Sequence, residues 1–244
     1  MGRICYACIS LTGNIRNENQ DCFMYAGFSG NDICSGTSKN EEIFIQGNCE
    51  RGVFAVFDGI GGGSDGKAAS KICSEYLLEN SDRVFEMPAE IIDVFTEMND
   101  KVCDYTKENK LYVCGSTASA VVAADDRIYA SNLGDSRIYY FKSGLNQLSV
   151  EHTILHNGKR ALTQYAGIPY EELVVEPHFC SAVAEQNVQV LICSDGLTDM
   201  VSEKRITEIL SENCVTLDKC RKLADEALLN GGRDNITIIL LEWG

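Results

Sequence analysis

A chain of 244 residues is long enough for one large core or two small ones, and its 45% hydrophobic and 23% charged content is that of an ordinary globular protein. A formal charge of −15 argues against a nucleic-acid partner and against an anionic membrane surface. No run approaches the ~18 apolar residues of a spanning helix, and no apolar leader follows Met1, so the expectation is a soluble, cytoplasmic protein. The twelve cysteines are scattered through strand and helix patterns, Cys73, Cys103, Cys193 and Cys220 among them, as small buried hydrophobes in a reducing compartment. Cys5 and Cys8 form a C-x-x-C with no second pair, inside a strand pattern, which argues against zinc.

In chain order, a first strand spans about Arg3 to Leu11 and gives way to the polar stretch Thr12 to Asp21, after which Cys22 resumes an apolar run. Arg16 and Asp21 thus sit just outside a core, where the arginine could fork onto phosphate and the aspartate face a cation, or the two could form a surface pair of little worth. Residues 27–47, rich in Gly, Ser and Asn, read as a loop or irregular hairpin. The apolar run Val53 to Phe57 ends on Asp58, and four of the next five residues are glycine. From Gly66 the apolar spacing turns helical, through Ala69, Ile72, Cys73, Tyr76 and Leu77. Ala68 after Lys67 breaks the P-loop pattern, leaving Asp58 as a metal-facing acid at a strand end or as a solvated turn residue.

Pro88 opens a second helix with a core stripe at Ile91, Phe95, Met98, Val102 and Tyr105. Short strands at Thr117 to Ala124, Arg127 to Leu133, Arg137 to Phe141 and Gln147 to Val150 read as an antiparallel meander, with turns at Asp125-Asp126, Gly134-Asp135 and Ser143-Gly144. Few patterns mark Glu151 to Pro177. A strand from Val188 to Cys193 exits into Ser194-Asp195-Gly196-Leu197-Thr198-Asp199. Helices at about Ser202 to Glu212 and Leu217 to Leu229 follow, and Gly231-Gly232-Arg233-Asp234-Asn235 precedes a last strand, Ile236 to Leu241. Without repeat, linker or low-complexity tract, residues 1–244 read as a single domain.

Asp21, Asp58, Asp135, Asp195 and Asp234 share one setting, the junction of an apolar strand and a polar or glycine-rich loop. Gathered at one sheet edge, they would repel one another strongly unless divalent cations stood between them. An all-oxygen donor set points to Mg²⁺ or Mn²⁺, and His152, His156 and His178 make no zinc motif.

Arg16 with Asn19-Gln20-Asp21, Asp58-Gly59-Ile60-Gly61-Gly62 with Gly66 and Ala69-Ser70, Gly115-Ser116-Thr117, Asn132 to Arg137, Ser194 to Asp199 and Gly231 to Thr237 form six ordered blocks. Together they resemble the metal-dependent protein phosphatases of the PP2C type, most closely their compact bacterial form. The resemblance implies an α+β fold, a four-layer α/β/β/α sandwich of two antiparallel sheets flanked by helix pairs. It implies two ions, Mn²⁺ or Mg²⁺, held by Asp58, the Gly59 carbonyl, Asp195 and Asp234, with Asp58 between the ions and Asp21 acting through water. It places a third, weaker ion at Asp135, Asp195 and Asp199, and the substrate phosphate on Arg16. The activity implied is hydrolysis of phosphoserine and phosphothreonine in proteins by a water that two ions activate. The partners would be phosphorylated proteins made by a Ser/Thr kinase, and the enzyme a monomer.

Three departures stand out. Gln20 replaces a frequent Glu, and Ile60 leaves no histidine after Asp58-Gly59, so the leaving group would take its proton from water. Residues 151–167 are too short for the helical flap of bacterial relatives. The competing reading is an inactive relative that binds phosphoproteins; retention of every matched aspartate and of Arg16 argues against it. A two-metal nuclease is disfavoured by the acidic balance, and no cysteine begins a C-x5-R loop.

Overall fold

The computed structural model describes residues 3–30, 32–61, 65–124, 126–156 and 158–244. Gly62, Gly63 and Ser64 of the glycine loop, Asp125 of one expected turn, and Met1 and Gly2 lie outside the described residues. The chain lays down β1 (Ile4–Leu11), β2 (Cys22–Ser29), β3 (Asp32–Thr37), β4 (Ile43–Cys49), β5 (Arg51–Phe57) and the short β6 (Gly59–Ile60). Helices α1 (Asp65–Glu79), α2 (Ser81–Glu86) and α3 (Ile91–Glu108) follow, with a 3-10 turn at Pro88–Glu90. Next come β7 (Gly115–Ser116), β8 (Ala118–Ala124), β9 (Arg127–Leu133), β10 (Arg137–Phe141), β11 (Leu145–Gln147), β12 (Thr153–His156), β13 (Lys159–Leu162), β14 (His178–Val183) and β15 (Gln189–Cys193). The chain closes with α4 (Asp195–Thr198), α5 (Glu203–Leu210), α6 (Thr216–Leu229) and β16 (Ile236–Trp243).

Two six-stranded sheets result, ordered β11-β10-β15-β16-β1-β4 and β14-β9-β8-β5-β2-β3, antiparallel throughout. Their facing sides make the central core, where Tyr6, Cys8, Phe54, Val56, Val121, Ile192 and Ile239 meet. On the outer face of the second sheet, Ala69, Cys73 and Leu77 of α1 and Val94, Phe95, Met98 and Val102 of α3 pack against Ala55, Phe57 and Ala120. On the outer face of the first, α5 and α6 cover Ala7, Ile9, Leu191 and Ile238. The central strands are therefore buried on both faces, which is why β5 and β16 read as unbroken apolar runs rather than alternations. Each large side chain such as Phe54 contributes roughly 1.5–3 kcal/mol by leaving water. The four-layer sandwich expected from the sequence is the fold observed.

Three details differ from the sequence reading. The stretch from Thr117 to Val150 is no meander within one sheet: β9 ends in the second sheet at Leu133, and β10 starts in the first at Arg137. The turn Gly134 to Ser136 carries the chain across the sandwich, an event that looks like a hairpin in sequence. Residues 27–47, expected as a loop or irregular hairpin, extend β2 into a hairpin with β3 and then form β4, so that β3 and β4 are the outer strands of the two sheets; β3 is exposed along most of its length and so lacks the burial pattern that marks a strand. Within Glu151 to Pro177 lies the ribbon β12–β13, and β14 beyond it pairs with β9.

Register explains what the fold does for function. In the second sheet Cys22 pairs with Phe57 and Ala118 with Leu133; in the first, Leu11 pairs with Ile236, and Cys193 with both Arg137 and Ile238. The ends of β1, β5, β9 and β15 and the starts of β2, β8, β10 and β16 consequently lie at one end of the sandwich.

Candidate active site

At that end Arg16, Gln20, Asp58, Gly59, Ile60, Gly61, Thr117, Asp135, Leu162, Asp195 and Asp234 line one cleft of about 230 Å³. Asp58 leaves β5 with both backbone groups fixed by Thr117: its N–H donates to Thr117 Oγ1 at 3.0 Å, and its carbonyl accepts from the Thr117 N–H at 2.8 Å. The Thr117 hydroxyl in turn lies 2.8 Å from that of Ser136, tying Asp58 to the crossover turn that carries Asp135. Asp195 opens α4 directly after β15. Its neighbour Gly196 approaches the other loop so closely that a Cβ there would lie 1.9 Å from the Asn235 carbonyl oxygen. A side chain at 196 would thus force Asp195 and Asp234 apart.

Loops 12–21 and 230–235 are stitched to each other. Asn235 Nδ2 donates to the carbonyls of Thr12 (2.8 Å) and Glu18 (3.0 Å), and its Oδ1 accepts from the Gln20 N–H at 2.8 Å. The Asn14 N–H donates to the Gly232 carbonyl at 2.7 Å. Arg16 and Asp234 are thereby set face to face, with Nη2 2.6 Å from Oδ2. Behind the cleft, Asp21 is buried and accepts from the Ser194 hydroxyl at 2.8 Å, while Asn40 Nδ2 holds the Asp21 carbonyl at 2.8 Å.

Six of the eight residues singled out in the sequence thus line the cleft. Asp21 stands behind it, and Asp199 is exposed beyond it, close enough for its charge to act on Asp135 and Asp195. Thr117, Ser194 and Asn235 were visible only as members of blocks, and Asn40 not at all. Its one signal is a short polar turn, where it takes a left-handed φ of 58°. His152 stands apart from the cleft: its Nδ1 accepts from the Gly134 N–H at 3.2 Å, bracing the crossover turn. The expected flap region is the β12–β13 ribbon, which delivers Leu162 to the cleft. Its root is held by Glu151, which accepts from Arg137 at 2.8 Å and pairs with Arg160.

The electrostatics are those of anions crowded in a poorly solvated place. Burial first, and then the charges of Asp21, Asp195, Asp135 and Asp234, push the Asp58 carboxyl well above the ordinary carboxylate range. Asp195 rises to about 7 through burial and its acidic neighbours, and Asp21 to about 7 through burial opposed by its Ser194 hydrogen bond. Asp135 rises by burial, with Arg160 opposing. Arg16 is held more firmly protonated by its bond to Asp234. Among the described residues no three Asp, Glu, His or Cys side chains form a ready-made cation cage. Asp234 meets Arg16, and Asp21 meets the Ser194 hydroxyl and the Asp58 side chain. Several acids raised together around a small cleft are a donor set that fits hard divalent cations, whose charge would reverse those shifts.

Fold and cleft together mark the class, a phosphatase built as a four-layer sandwich. The chain belongs to the protein phosphatase 2C family, whose model, described as Protein phosphatase 2C, matches residues 32–230. It is 28% identical over 211 residues to the serine/threonine phosphatase stp of Listeria monocytogenes, covering 78% of this chain and 84% of that one. It is 26% identical over 227 residues to the serine/threonine protein phosphatase PstP of Mycobacterium tuberculosis, spanning 84% of this chain and 44% of PstP. In fold it is similar to the S. agalactiae serine/threonine phosphatase, with a TM-score of 0.82, 23% identity and 98% of each chain covered. It is similar also to the catalytic domain of PstP in complex with 2 manganese ions, with a TM-score of 0.76, 24% identity and 99% of each chain covered. No helix among the described residues is long and apolar enough to cross a membrane.

Proposed function

We propose that this protein removes phosphate from phosphoserine and phosphothreonine in proteins, in a reaction that needs Mn²⁺ or Mg²⁺. The observation that carries the reading is the convergence of Asp58, Asp135, Asp195, Asp234 and Arg16 on one cleft from five separate strand junctions. Asp58, Asp195, Asp234 and the Gly59 carbonyl would hold two cations, with Asp21 behind them and Asp135, Asp195 and Asp199 available to a third. Bound there, divalent cations supply an acidified water as nucleophile and neutralise phosphoryl charge.

The chain's own groups do the rest. Arg16 offers a planar pair of donors to phosphoryl oxygens and orients the ester. Ile60 and Leu162 wall the cleft with apolar surface and limit the entry of bulk water. Thr117 and Ser194 keep Asp58 and Asp21 from drifting as charge builds on phosphorus. At about 230 Å³ the cleft is smaller than the roughly 300–1,000 Å³ of small-molecule sites. It suits a phosphoryl group at the tip of a side chain, with the rest of the substrate lying outside, which favours a protein substrate over a nucleotide.

The experiment is turnover of p-nitrophenyl phosphate and of a phosphothreonine peptide with Mn²⁺, with and without chelator. Hydrolysis of both that chelator stops is expected. Folded protein that binds the peptide but never hydrolyses it at any Mn²⁺ concentration would replace this reading with that of a phosphoprotein-binding module.

A further inference from the structure

Beside the cleft, and sharing Arg16 with it, lies a second cavity of about 430 Å³ lined by Ile15, Arg16, Asn17, Glu18, Gln20 and Arg233. We propose that it is a subsite for an anionic residue next to the phosphorylated one in the substrate polypeptide, read by Arg233. The proposal rests on the assignment of the first cleft to the phosphoryl group.

Three observations carry it. Arg233 is exposed and makes no ion pair among the described residues, whereas its neighbour Asp234 is taken by Arg16. It also has room to lie along its own loop: Gly231, at φ +127°, has no side chain, and the Arg233 stem runs over it, Cγ and Nε lying 3.7 and 3.8 Å from where a Cβ would be. The loop beneath is fastened by Asn14, whose Nδ2 donates to the Leu228 carbonyl at 2.9 Å and the Gly231 carbonyl at 3.3 Å. A guanidinium with its backbone fixed loses less entropy on gripping an anion than one on a loose loop.

The third observation is continuity. Arg16 and Gln20 line both cavities, so the residue next to one whose phosphoryl group Arg16 held would come up against the second. The opposing charge on that wall is Glu18, whose carboxylate is turned to Gln20, Nε2 to Oε1 being 3.4 Å. On a chain of formal charge −15, an acidic substrate is repelled at long range, so a local cation beside the cleft decides whether acid-flanked sites are accepted. The ligand chemistry is a carboxylate or a second phosphoryl group.

The test uses phosphothreonine peptides identical except for one neighbouring residue, on either side in turn, which is Ala, Glu, phosphoserine or Lys. With Mn²⁺, the Glu or phosphoserine peptide should exceed the Ala peptide in kcat/KM by about three- to tenfold, mainly through KM. In R233A that ratio should fall to near one, and in R233E the Lys peptide should become the preferred one. A ratio that R233A and R233E leave unchanged, or a wild type indifferent to the neighbour, overturns the subsite. Should no phosphate ester be hydrolysed at all, the phosphatase reading fails separately, and fluorescence anisotropy with the labelled Glu peptide decides the subsite alone. Weaker binding to R233E than to wild type supports it; equal binding overturns it.

Discussion

The guanidinium of Arg16 and the carboxylate of Asp234, 218 positions apart in sequence, meet at 2.6 Å. One partner is the group proposed to bind phosphate, the other a group proposed to bind a cation. The pair competes with both roles, because the Asp234 oxygen that Arg16 holds is one that a cation would take, and the guanidinium is then released to phosphate.

Removing the guanidinium should therefore raise cation affinity while it lowers turnover. Arg16→Ala is expected to tighten Mn²⁺ binding about two- to fivefold, a modest gain because both side chains are partly exposed. KM for a phosphopeptide should rise in the same variant. Titration of free Mn²⁺ by its electron paramagnetic resonance signal reads the first effect; weaker Mn²⁺ binding by Arg16→Ala would contradict the competition.

Asp58→Asn should cut hydrolysis by roughly three orders of magnitude or more, as removal of a group that holds the catalytic ions does. The same change removes one of several repelling carboxylates, so the chelated variant should melt higher than chelated wild type at pH 8. Rates within tenfold of wild type would remove Asp58 from the centre.

Stability without cations should fall as pH rises. Asp21 and Asp195 titrate at about 7 in the folded chain, against roughly 3.9 when unfolded. Between those values the folded state holds protons that the unfolded state has released, so the slope of stability with pH is negative there. Urea unfolding free energies of chelated protein should be higher at pH 5.5 than at pH 8, by an amount on the order of a few kcal/mol. Mn²⁺ should stabilise far more at pH 8 than at pH 5.5, because it displaces those protons. A chelated protein more stable at pH 8 would refute the crowding of these acids.

Asn235→Ala removes three hydrogen bonds between the loops that carry Arg16 and Asp234, leaving the Gln20 N–H and two carbonyls without their partner. A loss of about 2–4 kcal/mol is expected by chemical denaturation. KM should rise more than kcat falls, since the loop displaced is the one bearing Arg16.

Much of this centre was legible because its acids lie where apolar runs stop. The runs at Val53 to Phe57 and Ile236 to Leu241 are buried on both faces, and Asp58 and Asp234 mark their ends without ambiguity. The crossing from Leu133 to Arg137 was not legible, because a turn that changes sheets has the composition of a hairpin. Nor were the bounds of β3, whose exposed residues carry no core signal and leave a hairpin indistinguishable from a loop. The pairing of Arg16 with Asp234, and the service that Thr117 and Ser194 render to Asp58 and Asp21, depend on register between distant strands, which no local pattern encodes.

The first and last strands, β1 and β16, run side by side through the middle of their sheet, Ile4 opposite Trp243 and Leu11 opposite Ile236. During synthesis on the ribosome that sheet must therefore wait, with a gap beside β1, until β16 has emerged. Asp234 joins Arg16 only at that moment. A chain cut before β16 would therefore lack both the centre of that sheet and the Asp234 side of the cleft.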